Sequence, residues 1–366
     1  MKTFQLTLLS SLCIGALLSC AQIAPKNLKD AYKDDFLIGT ALGTNHILQK
    51  DAKSDELIKT QFNAITPENI MKAEVIHPSE GKYSFDLSDK YVQYGKDNDM
   101  FVVGHTLIWH SQLPGFVRSM TTAEQVKGFM EEHIATVAGR YAGKINSWDV
   151  VNEALNEDGT LRPSVFSKTL GEDFIKEAFI LAAKADPNAE LYYNDYNIEQ
   201  AAKRKGAIAL IKKLQSEGVR IDGVGIQGHW SINTLDLKEI EDAIKDYAAL
   251  GVKIAFTELD LTVLPNPWDL QGADVNQNFE GSAEMNPYTD GLPAEVDQKL
   301  ADQYEALFKL FLKYKDNISR VTFWGVNDGH SWLNGFPIRN RTNYPLLFDR
   351  NNEPKKAYFS LMNLKK

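Results

Sequence analysis

Eight short apolar runs, each followed by a polar loop and a stretch of helical periodicity, constrain this chain more than any other feature. They lie at 36–41, 62–66, 101–108, 145–151, 191–194, 223–227, 254–259 and 321–326. Several are apolar at consecutive rather than alternate positions, as strands buried on both faces of a parallel sheet require. Between them run stripes at helical spacing: Val126, Phe129, Met130, Ile134 and Val137; Phe174, Ile175, Ala178, Phe179 and Ala182; Leu237, Ile240, Ile244 and Tyr247; Tyr304, Leu307, Phe308 and Phe311. Thr121-Thr122-Ala123-Glu124 predicts a capping box ahead of the first stripe, and Asp186-Pro187 stops the second. The alternation predicts an α/β chain folded as a single (β/α)8 TIM barrel over 35–366. A doubly wound open sheet would share the rhythm, but no G-x-G-x-x-G follows the first run. One connection, 262–293, is polar, rich in Gly, Pro and Asn, and without helical period. A loop of that length in a compact domain is usually functional or mobile.

The first twenty residues have a different character. Met1-Lys2-Thr3 is a short basic start, and an apolar run from Phe4 ends at Leu17-Leu18-Ser19-Cys20. The run is shorter than the roughly 20 residues of a membrane span and reads as a secretory signal. Its end resembles a bacterial lipobox, which implies that Cys20 carries acyl chains and that 21–34 is an N-terminal tether. Ordinary cleavage after Ser19 or Ala21 is the plainer alternative. The lipobox reading predicts a periplasmic or cell-surface bacterial lipoprotein that meets a membrane only through its anchor. The only other cysteine, Cys13, lies inside the signal, so the mature chain has neither a disulfide nor a thiolate zinc site.

With 43% hydrophobic residues and a formal net charge of -9, the chain is too apolar to be disordered and too acidic to favour nucleic acid. In a parallel barrel, chemistry sits where strands end. Here the runs end in Pro67-Glu68-Asn69, Trp109-His110-Ser111-Gln112, Asn152-Glu153, Asn194-Asp195-Tyr196, Gln227-Gly228-His229-Trp230, Glu258-Leu259-Asp260 and Asn327-Asp328. One such ending means little, but seven form a ring of carboxylates, amides, imidazoles and indoles. Amides and carboxylates pair with hydroxyls, and indole faces stack on pyranose C–H faces, so the ring suits sugar. Trp109, Trp148, Trp324 and Trp332 lie near strand ends. Trp148 suits core packing as well as a site, whereas the polar run after Gly325 favours a loop position for Trp324 and Trp332.

Two carboxylates at strand ends can hydrolyse a glycosidic bond. One delivers a proton to the leaving oxygen and the other attacks the anomeric carbon; retention requires roughly 5–5.5 Å between them. Glu153 and Glu258 are the best pair, with environments that must push their pKa values apart. His229 and Asp260 are placed to hold Glu258, and Asn152 to meet a sugar 2-hydroxyl.

The stretches Gly104-His105-Thr106-Leu107-Ile108-Trp109-His110-Ser111-Gln112-Leu113-Pro114, Trp148-Asp149-Val150-Val151-Asn152-Glu153-Ala154, Gly225-Ile226-Gln227-Gly228-His229-Trp230 and Thr257-Glu258-Leu259-Asp260 resemble the motifs of glycoside hydrolase family 10, mainly endo-β-1,4-xylanases. The resemblance runs over 35–363. It implies a (β/α)8 barrel, retention of configuration, xylan or xylo-oligosaccharide as substrate, no cofactor and no metal, and a monomer. It implies Glu153 as general acid/base, Glu258 as nucleophile, and His229 and Asp260 as its hydrogen-bonding support. It assigns Glu68, Asn69 and Lys72 to the next sugar outward, and His105, Trp109, Gln112, Asn152 and Gln227 to the shell around the attacked sugar. Trp324 and Trp332 become an aromatic roof, and Asn194 and Tyr196 fall on the leaving-group side. Ala73 departs from the bulkier residue many members carry, and the 262–293 loop is longer than a minimal member needs.

Other readings fit less well. His105, His110 and His229 lack metal-ligand spacing, and no D-x-D-x-D-G run suggests calcium. Lys203-Arg204-Lys205 and Lys212-Lys213 read as a solvated helix face. A hydrolase of β-glucan or aryl glycosides differs only in steric room, and a silent sugar-binding lipoprotein has no need of both glutamates.

Overall fold

The structure is a computed structural model that describes residues 26–270 and 272–366; the expected signal and Cys20 lie outside the described residues. Eight parallel strands close on themselves: β1 Leu37–Leu42, β2 Ala64–Pro67, β3 Phe101–Trp109, β4 Ser147–Asn152, β5 Glu190–Asp195, β6 Gly223–Ile226, β7 Lys253–Thr262 and β8 Ile318–Phe323. Each pairs with the next in sequence. The ring is completed by β6 with β7 (Gly223 opposite Lys253, Ile226 opposite Phe256) and by β1 with β8 (Leu37 opposite Arg320, Thr40 opposite Phe323). One long helix follows each strand: α1 Ala52–Gln61, α2 Asp86–Asp97, α3 Ala123–Arg140, α4 Asp173–Ala185, α5 Ala201–Ser216, α6 Leu237–Ala248, α7 Ala294–Lys313 and α8 Lys356–Asn363. The expected single (β/α)8 barrel is therefore the observed fold.

Burial explains the strand sequences. Every residue of β2, β4 and β6 is buried, so neither face tolerates an exposed polar side chain. The helices bury one stripe each; on α6 it is Ile240, Ala243, Ile244 and Tyr247. Gly104 on β3 is required by packing, because a Cβ there would sit 2.1 Å from the ring of Trp148. Trp148 is fully buried, so it belongs to the core rather than to the cleft. Arg320 on β8 lies 4.5 Å from the Tyr192 ring of β5 and 3.8 Å from Asp149 of β4. Those strands face β8 only across the barrel lumen, so the guanidinium sits inside it.

Two boundaries differ from the sequence expectation. The helix cap is Thr122 rather than Thr121: its hydroxyl accepts from the Gln125 amide, and the Gln125 side chain accepts from the Thr122 amide. The box is shifted by one residue because Gln125 serves as well as Glu124 would. The last strand spans 318–323 instead of 321–326, since Gly325 at φ 141 turns the chain out of the barrel. Upstream, Leu28–Ala31 forms a short helix, Leu28 and Tyr32 are fully buried, and the Tyr32 hydroxyl donates to the Leu361 carbonyl. The stretch 28–32 is thus packed against the barrel, whereas 21–25 lies outside the described residues.

Candidate active site

The carboxyl ends of the strands converge on a cavity of about 500 Å³ whose walls include Glu153 and Glu258. Glu153 is the first residue past β4. Its backbone is left-handed, at φ 56, an arrangement that costs on the order of 1–3 kcal/mol in a non-glycine residue. The amide of Glu153 donates to the Asn194 carbonyl at 2.9 Å, which helps hold the turn. The turn aims the carboxyl into the cavity. There Oε2 accepts from the Trp109 indole at 2.8 Å, and Oε1 accepts from Gln227 at 3.0 Å and Asn152 at 3.2 Å.

Glu258 lies within β7. A short strand, His229–Ser231, pairs parallel with the end of β7 and sets His229 against Asp260. His229 Nε2 lies 3.2 Å from Glu258 Oε2, and its Nδ1 lies 3.0 Å from Asp260 Oδ1. Asp260 is fixed in turn by the Trp332 indole, which donates to its other oxygen at 2.8 Å. A chain of amides joins the two glutamates. Asn194 donates to Glu258 Oε1 and to Asn152 Oδ1, both at 2.8 Å, and Asn152 donates to Glu153.

These surroundings drive the two carboxyls apart. Burial pushes the Glu153 carboxyl up, and the hydrogen bonds from Gln227 and Trp109 do not cancel that effect. Glu258 is equally buried, but the His229 hydrogen bond, the charges of His105 and His229, and Asn194 outweigh burial and hold it below the usual carboxylate range. Burial disfavours the charged His229 ring, yet Asp260 and then Glu258 raise its pKa to about 10. Neutral pH therefore finds an imidazolium between two carboxylates, with Glu153 the carboxyl disposed to keep its proton.

The remaining walls are those expected around a sugar. Glu68, Asn69, Lys72, His105, Trp109, Gln112, Asn152, Gln227, Trp324 and Trp332 all line this cavity. Lys72 Nζ donates to Asn69 at 2.9 Å and stands 4.9 Å from the centre of the Trp109 ring. His105 Nδ1 meets Asp149 Oδ2 at 2.9 Å.

Comparison with known proteins gives the family. The model of glycosyl hydrolase family 10 matches residues 27–364. An endo-1,4-β-xylanase A from Xylanibacter ruminicola is 44% identical, over 97% of this chain and 99% of its own. A β-1,4-xylanase from Dictyoglomus thermophilum is 42% identical, over 92% of this chain and 90% of its own. The structure of a family 10 endoxylanase from a sugarcane-soil metagenome superposes with a TM-score of 0.90 at 47% identity, covering 92% of this chain and 99% of that one. The chain belongs to glycosyl hydrolase family 10.

Two of the family-derived residues occupy other places in this hydrolase. Asn194 is fully buried beneath the glutamates and does not line the cavity. Tyr196 is also buried, capped by Lys203 Nζ 3.6 Å from its ring centre and bonded through its hydroxyl to Arg162. Conversely, sequence reasoning passed over Glu74, which accepts from Gln112 at 3.0 Å, and Asp149, which orients His105. A signal for Asp149 was present: a carboxylate in the middle of an otherwise apolar strand must have a partner. Val275 and Asn276, from the loop after β7, also reach the cavity wall. The length and place of the 262–293 loop after the nucleophile strand point toward the cleft, but not to which of its residues reach it, because loop path is set by tertiary anchors.

The charge on His229 has a signed consequence for pH dependence. Replacing His229 with Asn removes the cation beside Glu258, so the nucleophile takes up its proton at higher pH. The acid limb of kcat/KM in His229→Asn should move upward, and kcat should fall on the order of 100-fold. An acid limb that stays in place would contradict the role given to His229.

Proposed function

We propose that this family 10 hydrolase is an endo-β-1,4-xylanase acting with retention of configuration. The observation that carries the proposal is the pair of glutamates in one cavity with opposed electrostatic surroundings. Supporting it are the Glu68, Asn69 and Lys72 wall on one flank and the names of the relatives, which are xylanases. In the first step Glu258 attacks the anomeric carbon while Glu153 gives its proton to the departing glycosidic oxygen, leaving a covalent glycosyl-enzyme. In the second step Glu153, now a carboxylate, takes a proton from water. The water oxygen displaces Glu258, and both carboxyls return to their starting states. Gln227, Trp109 and Asn152 fix the Glu153 carboxyl through both half-reactions. Imidazolium His229 keeps Glu258 ionised and a competent leaving group.

The test is a comparison of polysaccharides. Xylose lacks the hydroxymethyl group of glucose, so a cavity shaped for xylose should reject glucan sterically. The purified protein should release new reducing ends from xylan at least tenfold faster than from mixed-linkage β-glucan, with oligosaccharides of β configuration appearing first. Equal rates, or faster glucan cleavage, would reassign the substrate.

We also infer that the chain is secreted and held to a membrane by acyl chains on Cys20. The support is the apolar run closing on Leu17-Leu18-Ser19-Cys20. Among the described residues no helix is long and apolar enough to cross a membrane. The stretch 21–27 would tether the barrel within roughly 3.3–3.6 Å per residue of the surface. Cys20→Ser should move the protein from the membrane to the soluble fraction; continued membrane association would reject the anchor.

A further inference from the structure

The run Lys203-Arg204-Lys205 has the composition of a solvated helix face, and Lys205 is exposed there, but Lys203 is fully buried. It stands in the first turn of α5, where the helix dipole disfavours a cation and burial disfavours any charge. Two penalties at one position call for compensating partners. Lys203 Nζ lies 3.0 Å from Asp195 Oδ1 and 3.1 Å from Glu157 Oε1.

Those two carboxylates hold different parts of one structure. Asp195, fully buried at the end of β5, accepts the Tyr193 hydroxyl on Oδ2 at 2.6 Å, and that hydroxyl accepts the Ala154 amide at 3.2 Å. Ala154 follows Glu153, so β5 pins the strained turn on both sides: the Asn194 carbonyl takes the Glu153 amide and the Tyr193 hydroxyl takes the next one. Burial pushes the Asp195 carboxyl up, and the charge of Lys203 is the largest effect opposing it. Glu157 lies in the loop that follows the turn, and its other oxygen accepts from Asn197 at 2.8 Å. Close packing seats the same loop on α5. A Cβ at Gly159 would come within 2.6 Å of the Ala202 carbonyl, and one at Gly206 within 2.2 Å of the Gly159 carbonyl. Lys203, Asp195 and Tyr193 are all absent from the walls of the catalytic cavity. What they hold is the backbone that carries Glu153.

We propose that Lys203 is a positioning residue for the acid/base: by joining Asp195 to Glu157 from beneath, it fixes the turn and the loop that aim the Glu153 carboxyl at the departing oxygen. The inference rests on the xylanase reading, in which Glu153 is the proton donor, and it gives Lys203 no contact with sugar.

The test compares kcat/KM on phenyl and 2,4-dinitrophenyl β-xylobioside, a quantity that reports the first, glycosyl-transferring step. A phenolate needs a proton from Glu153 to depart, whereas a dinitrophenolate departs without one. Glu153→Ala sets the scale and should cost the phenyl substrate far more than the dinitrophenyl one. Lys203→Met keeps the length of the side chain and removes its charge. It should lower kcat/KM about 10- to 30-fold on the phenyl substrate and no more than about threefold on the other. In the Glu153→Ala background, with no acid left to aim, Lys203→Met should change either value by less than about twofold. Tyr193→Phe removes only the hydroxyl that links Asp195 to the Ala154 amide. It should show the same split at about three- to fivefold, and it decides the matter if circular dichroism shows that Lys203→Met does not fold. Equal losses on both substrates, no loss on either, or a loss that persists in the Glu153→Ala background would overturn the positioning role, because a merely structural lysine would spare neither substrate nor background. If Glu153→Ala itself shows no split between the substrates, the xylanase reading fails and takes this inference with it. If Glu153→Ala shows the split and the deciding variant does not, only the role of Lys203 fails.

Discussion

The hydrogen-bonded series Asp260–His229–Glu258 is the interaction on which the site depends. Two carboxylates buried within reach of one imidazole would repel each other unless the ring carries a proton, and burial alone would strip that proton away. Asp260 settles the balance: it is fully buried, it takes one hydrogen bond from Trp332, and its negative charge keeps His229 protonated. Glu258 is then ionised in an environment that would otherwise protonate it. Glu153, across the cavity, has only neutral donors on its oxygens, so burial dominates there. One ion pair thus gives two chemically identical side chains opposite tasks.

The barrel serves this arrangement by geometry. Glu258 and Asp260 alternate along β7, and the short strand at 229–231 pairs with 260–262, so His229 meets both without a flexible linker. Glu153 is carried on a strained left-handed turn, and the amide bridge through Asn152 and Asn194 ties that turn to Glu258. The strain persists because β4, β5 and the cavity donors over-determine the position.

Much of this was legible in the sequence, for physical reasons. Fully apolar runs announce parallel strands, and polar residues clustered at their ends announce a site, because a barrel leaves no other place for them. What was less legible depended on local substitutes and on tertiary contact. Gln125 caps as well as Glu124 would, which shifted the helix start by one residue. Gly325 bends the chain after Phe323, although Trp324-Gly325-Val326 continues the apolar pattern. Asn194 and Tyr196 follow strand β5 as cleft residues would, but Asn194 is drawn under the glutamates and Tyr196 is covered by Arg162, Lys203 and the loop at Gly272. The path of 262–293 was invisible because its anchors, Arg162, Arg341 and Asn343, lie far away in sequence.

The central claim is that Glu153 and Glu258 hold opposite protonation states, and carboxyl-labelled NMR titration tests it most directly. With glutamate side chains labelled at the carboxyl carbon, and the two signals assigned by Glu153→Gln and Glu258→Gln, the native protein should show one carboxyl titrating above the ordinary glutamate range and the other below it. The higher should vanish in Glu153→Gln and the lower in Glu258→Gln. Two carboxyls titrating together, or in the reverse order, would contradict the account.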